Sequence, residues 1–181
     1  EHTDFLAILL EALRERGVRY TAAAVVHNFA FEVPALIGPN PATDLVDLRL
    51  QDMDVVLVRD DVVWHSPDAV NYSDNPSIVL GGQQLEIPRG FATAVIEVKG
   101  KGYRVVSTHL TPKEEGEAEQ LLQAEELIAW LDGTDRPAFV MGDLNTAPGN
   151  TWTDSYGKFT AAGFTDLWDL GAPGDPGPTC C

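Results

Sequence analysis

An Asp and an Asn stand two residues apart at the end of an apolar run: Ala138, Phe139, Val140 and Met141 lead into Gly142, Asp143, Leu144 and Asn145. If the strand stays extended through Asn145, both side chains leave the same face. A carboxylate and a carboxamide then sit together at a strand's C-terminal end, where open sheets tend to build their sites. The carboxylate there suits orienting or deprotonating an attacking water. The carboxamide suits donating to charge that develops in a transition state. A second apolar run, Tyr103 through Val106, leads into Ser107, Thr108, His109 and Leu110 and delivers an imidazole at its end. A neutral imidazole shuttles a proton, and a charged one holds a phosphoryl oxygen.

One helical segment, residues 114–131, separates the two runs. A strand–helix–strand unit makes the strands parallel with a right-handed crossover. His109, Asp143 and Asn145 are therefore expected on one edge of one sheet. Each motif alone has a plainer reading. A His at a strand end is usually structural, and Gly-Asp-x-Asn also describes a strand entering an Asx turn. Their pairing at matching strand ends, one crossover apart, favours the chemical reading.

The other elements must position these groups. Residues 4–16 carry apolar positions at helical spacing, closed by Gly17, and predict an amphipathic helix. Residues 20–29 and 52–59 read as strands. Residues 34–48 and 64–76, dense in Pro, Gly, Asn, Asp and Ser, read as loops. Residues 78–87 read as a hairpin turning at Gly81-Gly82. Residues 91–98 and 103–110 read as strands joined by Lys99-Gly100-Lys101-Gly102. Residues 151–162 predict a short helix, and 164–170 a final element. About six strands and three helices in this order predict an α+β fold with mixed sheets flanked by helices.

At 181 residues the chain is expected to be one domain, or part of one, over 1–181. Twelve basic residues against 28 acidic ones leave a net charge of −16. That balance disfavours nonspecific binding of DNA or RNA, which needs many phosphate contacts from Lys and Arg. Lys99, Lys101, Arg104 and Lys113 form the nearest thing to a basic cluster, read as a solvated face. No apolar run approaches the roughly 20 residues of a membrane span. The start without Met and the turn-rich end before Cys180-Cys181 read as those of a segment cut from something longer. The cysteine pair leaves the compartment unassigned, with a slight lean to a secreted or extracellular location.

The runs ending Ser107-Thr108-His109-Leu110 and Met141-Gly142-Asp143-Leu144-Asn145-Thr146-Ala147-Pro148-Gly149 resemble the endonuclease/exonuclease/phosphatase superfamily, with its deoxyribonuclease I-like fold. Supporting matches fall in the family's order: Asp52 to Arg59, Ile87-Pro88-Arg89-Gly90-Phe91, Gly163 to Trp168, and Gly177 to Cys181. The resemblance implies a four-layer α/β/β/α sandwich of two mixed sheets, here truncated at both ends. It implies hydrolysis of phosphoester bonds by an activated water, dependent on magnesium (or manganese). It implies that Asp143 orients or deprotonates that water and that Asn145 steadies the phosphoryl group, with Asp143 and Asn145 also facing the metal. It implies that His109 contacts the scissile phosphate or assists protonation, that Asp52 pairs with His109, and that Arg89 contacts phosphate.

The departures matter equally. The family's first-strand Asn, its Gln-Glu metal motif, its Arg-Ile-Asp strand and its Ser-Asp-His are absent, so this segment is expected to hydrolyse poorly or not at all. On charge a phosphorylated small molecule or a lipid headgroup is favoured as substrate over duplex DNA, with nucleic acid kept as a third class, and the chain is expected to act as a monomer. The alternative is a non-catalytic binding or interaction module of the same fold. A calcineurin-like metallophosphatase is rejected, because its Asp-x-His and Gly-Asn-His runs do not occur.

Overall fold

The structure, a computed structural model, describes residues 3–80, 82–149 and 153–175. In chain order the elements are α1 (Phe5–Glu15), β1 (Tyr20–Leu36), β2 (Leu45–Arg59), β3 (Val63–Asn71), β4 (Ser77–Leu80), β5 (Gln83–Glu86), β6 (Gly90–Val98), β7 (Lys101–His109), α2 (Lys113–Asp132), β8 (Ala138–Asp143), α3 (Ser155–Ala161) and α4 (Leu167–Gly171). Gly81, Thr151 and the run Gly177 to Cys181 lie outside the described residues.

Alternation along the strands builds two apolar layers. Ala92 and Ala94 of β6 and Val105 of β7 face Ala23, Ala24 and Val26 of β1 and Val56 and Val58 of β2. Phe91 of β6 and Val106 of β7 point the opposite way, against Ala124, Leu127 and Leu131 of α2 and Phe159 of α3. β6 is thus buried on both faces, as a central strand of a sandwich must be. The small alanines let the two sheets approach closely. The result is α+β, with helix, sheet, sheet and helix in layers.

The second sheet has the order β3-β6-β7-β8. β3 and β7 run antiparallel to β6, whereas β8 runs parallel to β7. This sheet is therefore mixed, as expected. The first is an antiparallel pair, β1-β2. The hairpin between β6 and β7 turns on two residues, Lys99 and Gly100, both with positive φ, the conformation that suits the twist of a tight hairpin. Among the described residues β8 pairs only with β7. Its outer edge is open, and Phe139 and Met141 stay partly exposed there.

Two stretches read as loops are strands. Residues 63–71 form β3, with Ser66-Pro67 absorbed in an irregularity between His65 and Asp68. Ser66 takes a positive φ there, and an edge strand tolerates a proline at such a break. Residues 34–36 and 45–48 extend the β1–β2 ladder, with Pro34 opposite Asp47, so only 37–44 remains a loop. Helix α1 is capped by Asp4, whose carboxylate accepts from the Ala7 N–H at 2.9 Å. Its apolar residues Phe5, Ile8 and Leu9 remain exposed.

Of the basic cluster, Lys99, Lys101 and Lys113 are exposed. Arg104 is not simply solvated: its guanidinium stacks 5.4 Å from the Trp130 ring centre and donates to Ser66 O at 3.1 Å.

Candidate active site

Parallel pairing of β7 with β8 places His109 directly opposite Asp143. The His109 Nε2 lies 3.9 Å from the Asp143 Oδ2. Asn145 is brought to the same edge, but by a different route from the one its spacing suggested. β8 stops at Asp143 and Asn145 takes a φ of 48°, a left-handed turn that Asn tolerates better than most residues. Its backbone N–H donates to Asp143 Oδ1 at 3.0 Å, an Asx turn. Its carboxamide donates to Leu110 O at 2.8 Å, and the Leu110 N–H donates to Asp143 O at 3.0 Å. The ends of β7 and β8 are therefore tied by two hydrogen bonds through Leu110, with the Asx turn holding Asn145 in place between them.

Gly142 makes this approach possible. It has a φ of 134°, and any Cβ there would collide with the carbonyl oxygen of Thr108. Only glycine lets β8 lie so close to β7 one residue before Asp143.

Arg89, in the connection entering β6, fills the centre of the site. Its side chain is only 9% exposed, and its guanidinium meets Glu115 at 3.1 Å and Asp52 at 3.6 Å. It also bonds the His109 Nδ1 at 3.0 Å. Arg has no acceptor, so Nδ1 must accept, and the neutral ring carries its proton on Nε2, on the side of Asp143. This corrects one expectation: Asp52 pairs with Arg89, and it is Arg89 that meets the imidazole. Asn75 holds the arginine backbone, its Oδ1 accepting from the Arg89 N–H at 2.8 Å.

Four further groups belong to the site. Asp54 follows Asp52 on the same face of β2. Asn28 bridges the two, donating to Asp54 at 2.7 Å and reaching Asp52 at 3.4 Å. Burial pushes the Asp54 carboxyl above the usual carboxylate range. Asn28 opposes that shift, Asp52 adds to it, and His109 and Arg89 draw it down. The i, i+2 spacing of Asp52 and Asp54 was legible as one strand face. Glu115 was hidden among Glu114, Glu117 and Glu119 in an acidic helix start. Gln120, fully buried on α2, donates to Thr111 O at 2.8 Å and to Asn145 O at 2.9 Å, and accepts from the Ser155 hydroxyl at 2.9 Å. It fixes the Asn145 turn from beneath, and nothing in its spacing separated it from a surface glutamine.

The donor set does not fit a resident magnesium ion. Among the described residues no three His, Cys, Asp or Glu side chains gather to hold a metal. Asp143 is the one carboxylate at the ends of β7 and β8, and its Oδ1 already accepts from Asn145. Magnesium asks for a near-octahedral shell of oxygens.

The model of the endonuclease/exonuclease/phosphatase family matches residues 18–180. No curated protein sequence matches the chain. Among solved structures, the human Nocturnin catalytic domain with bound sulfate aligns with a TM-score of 0.55 at 16% identity, covering 94% of this chain and 56% of that one. The chain thus spans little more than half the length of that domain. Sphingomyelinase C from Streptomyces griseocarneus aligns with a TM-score of 0.44 at 23% identity, covering 59% of this chain and 37% of that one. An endonuclease/exonuclease/phosphatase from Bacteroides vulgatus gives 0.46 at 17% identity, covering 85% and 61%.

Proposed function

The chain belongs to the endonuclease/exonuclease/phosphatase family, and on that premise we propose that it serves hydrolysis of phosphoester bonds by an activated water. The observation that carries this reading is the convergence of a buried Arg89, the Nε2–H of His109 and the Oδ2 of Asp143 within one cluster. Arg89 and His109 supply N–H donors for phosphoryl oxygens, whose charge grows in the transition state. Asp143 Oδ2 accepts a hydrogen bond from the attacking water and takes its proton as the oxygen bonds to phosphorus. The departing alkoxide is protonated from solvent. His109 acts here as a hydrogen-bond donor through its Nε2–H, because Arg89 occupies Nδ1. The strong acidic balance favours a small phosphorylated molecule or a lipid headgroup over duplex nucleic acid.

The family resemblance implies a divalent cation, and the residues present do not form its site, so no step is assigned to it. That same donor set favours a second reading, a module that binds a phosphorylated group without turnover. Release of p-nitrophenol from bis-p-nitrophenyl phosphate, with magnesium or manganese added, separates the two. Turnover that falls in His109→Ala supports the hydrolase. Absence of turnover, with inorganic phosphate still bound by the wild type, supports the module.

A further inference from the structure

The inner face of β2 does not end at the site. Its alternate residues run Val58, Val56, Asp54, Asp52, Leu50, Leu48 and Val46. Both register shifts of the β1–β2 ladder place the extra residue on β1, so β2 keeps strict alternation and these side chains share one face. Across the ladder Phe31, Val33 and Ala35 stand opposite Leu50, Leu48 and Val46, and the Phe29 ring lies 5.2 Å from that of Phe31. Directly opposed residues share a face. Beyond the site, then, the hairpin has one wholly apolar face, while the other mixes Glu32, Asp47, Arg49 and Gln51 with Pro34, Leu36 and Leu45. Leu48 and Leu50 remain 51% and 46% exposed.

This face is continuous with the cation of the site. Leu50 is two residues, about 7 Å, from Asp52 along the strand, and Asp52 meets Arg89 at 3.6 Å. The apolar stretch from Leu50 to Val46 then runs about 14 Å, close to half of a hydrocarbon core about 30 Å thick. A buried guanidinium at one end and a hydrocarbon wall at the other complement a phosphate ester that carries a long apolar chain. The charge of −16, with Glu32, Asp44 and Asp47 around the arm, opposes an anionic surface. A zwitterionic headgroup, whose ammonium offsets its phosphate, avoids that repulsion.

We infer that the arm formed by Phe29–Ala35 and Val46–Leu50 seats the apolar chain of a zwitterionic amphiphilic phosphoester at a lipid surface. The inference rests on the phosphoester reading for the headgroup, and the arm itself is testable without turnover. In co-sedimentation with phosphatidylcholine vesicles the wild-type chain is expected to bind. Leu48→Asp/Leu50→Asp should weaken binding at least tenfold while keeping the wild-type circular dichroism, because both positions are half exposed. Leu48→Trp should add a blue-shifted emission component on the same vesicles. No binding to phosphatidylcholine, equal binding by the double variant, or an unshifted Leu48→Trp would overturn the inference. So would tighter binding to phosphatidylserine vesicles, or a dimer in sedimentation equilibrium that the double variant splits. Vesicle binding as expected, with both lipid and soluble phosphoesters left intact, would sink the hydrolase reading and leave the arm's role standing.

Discussion

Arg89 donates to the Nδ1 of His109 at 3.0 Å. That bond assigns the imidazole its neutral tautomer and turns the remaining N–H toward Asp143. Long-range proton–nitrogen NMR should find the wild-type ring as the Nε2–H form. In Arg89→Lys the fork that reaches Asp52, Glu115 and His109 together is gone, and the ring should populate both tautomers. A wild-type Nδ1–H ring would refute the arrangement. Losing these charged hydrogen bonds should also cost about 1.5–3 kcal/mol of stability, readable by urea denaturation.

Asp54 carries a pH signature. Burial raises its pKa in the folded state, so folding favours its protonated form. The associated stability is present at low pH and is lost as pH rises through the folded-state pKa. Asp54→Asn keeps an acceptor for Asn28 and removes the charge. It should gain stability relative to wild type at pH 7 and gain less at pH 4. An equal change at both values would show that Asp54 titrates normally.

Gln120→Leu keeps the volume of a buried side chain and removes the donor to Asn145 O and Thr111 O, while the Ser155 hydroxyl keeps only Thr153. A buried polar group left unsatisfied costs about 1–3 kcal/mol. The midpoint of thermal unfolding should fall, and the Asn145 amide should exchange faster with deuterated water. Unchanged exchange at Asn145 would mean that the turn holds itself.

Gly142→Ala sets a methyl group against Thr108 O in a backbone region that costs other residues about 1–3 kcal/mol. The variant should unfold at least several degrees lower, and turnover of bis-p-nitrophenyl phosphate should fall, because relief of the clash moves Asp143 away from His109. Wild-type stability would show that β8 relaxes freely at this point.

One carboxylate at the strand ends predicts weak cation binding. Calorimetric titration of this chain with magnesium should give a dissociation constant in the millimolar range or weaker, since tight oxygen sites gather several carboxylates. Micromolar affinity would contradict the donor set described here.

Three strands of the second sheet, β6, β7 and β8, were legible because hydrophobic periodicity marks them and the crossover helix. Chain continuity then forces His109 opposite Asp143. The proline-bearing strands were missed for a physical reason: Pro34 and Pro67 forbid a central strand, yet both lie where an edge position or a break absorbs them. Asn145 was expected near Asp143 and lies there, although through a turn and not an extended strand. The role of Arg89 as the partner of His109 was illegible. It depends on a loop bringing a side chain across three elements, and no spacing along the chain encodes that distance.

The open edge of β8 bears on how firmly Asp143 is held. Among the described residues, the strand that carries this carboxylate is tethered along one side only, to β7. Amide protons on its outer edge should exchange rapidly while those of β6 stay protected. A productive constellation must hold its groups to within about 0.5 Å. Any strand that zips onto the outer edge would therefore stiffen Asp143 without touching it, and the carboxylate's hold on the attacking water would tighten from a pairing event on the strand's far side.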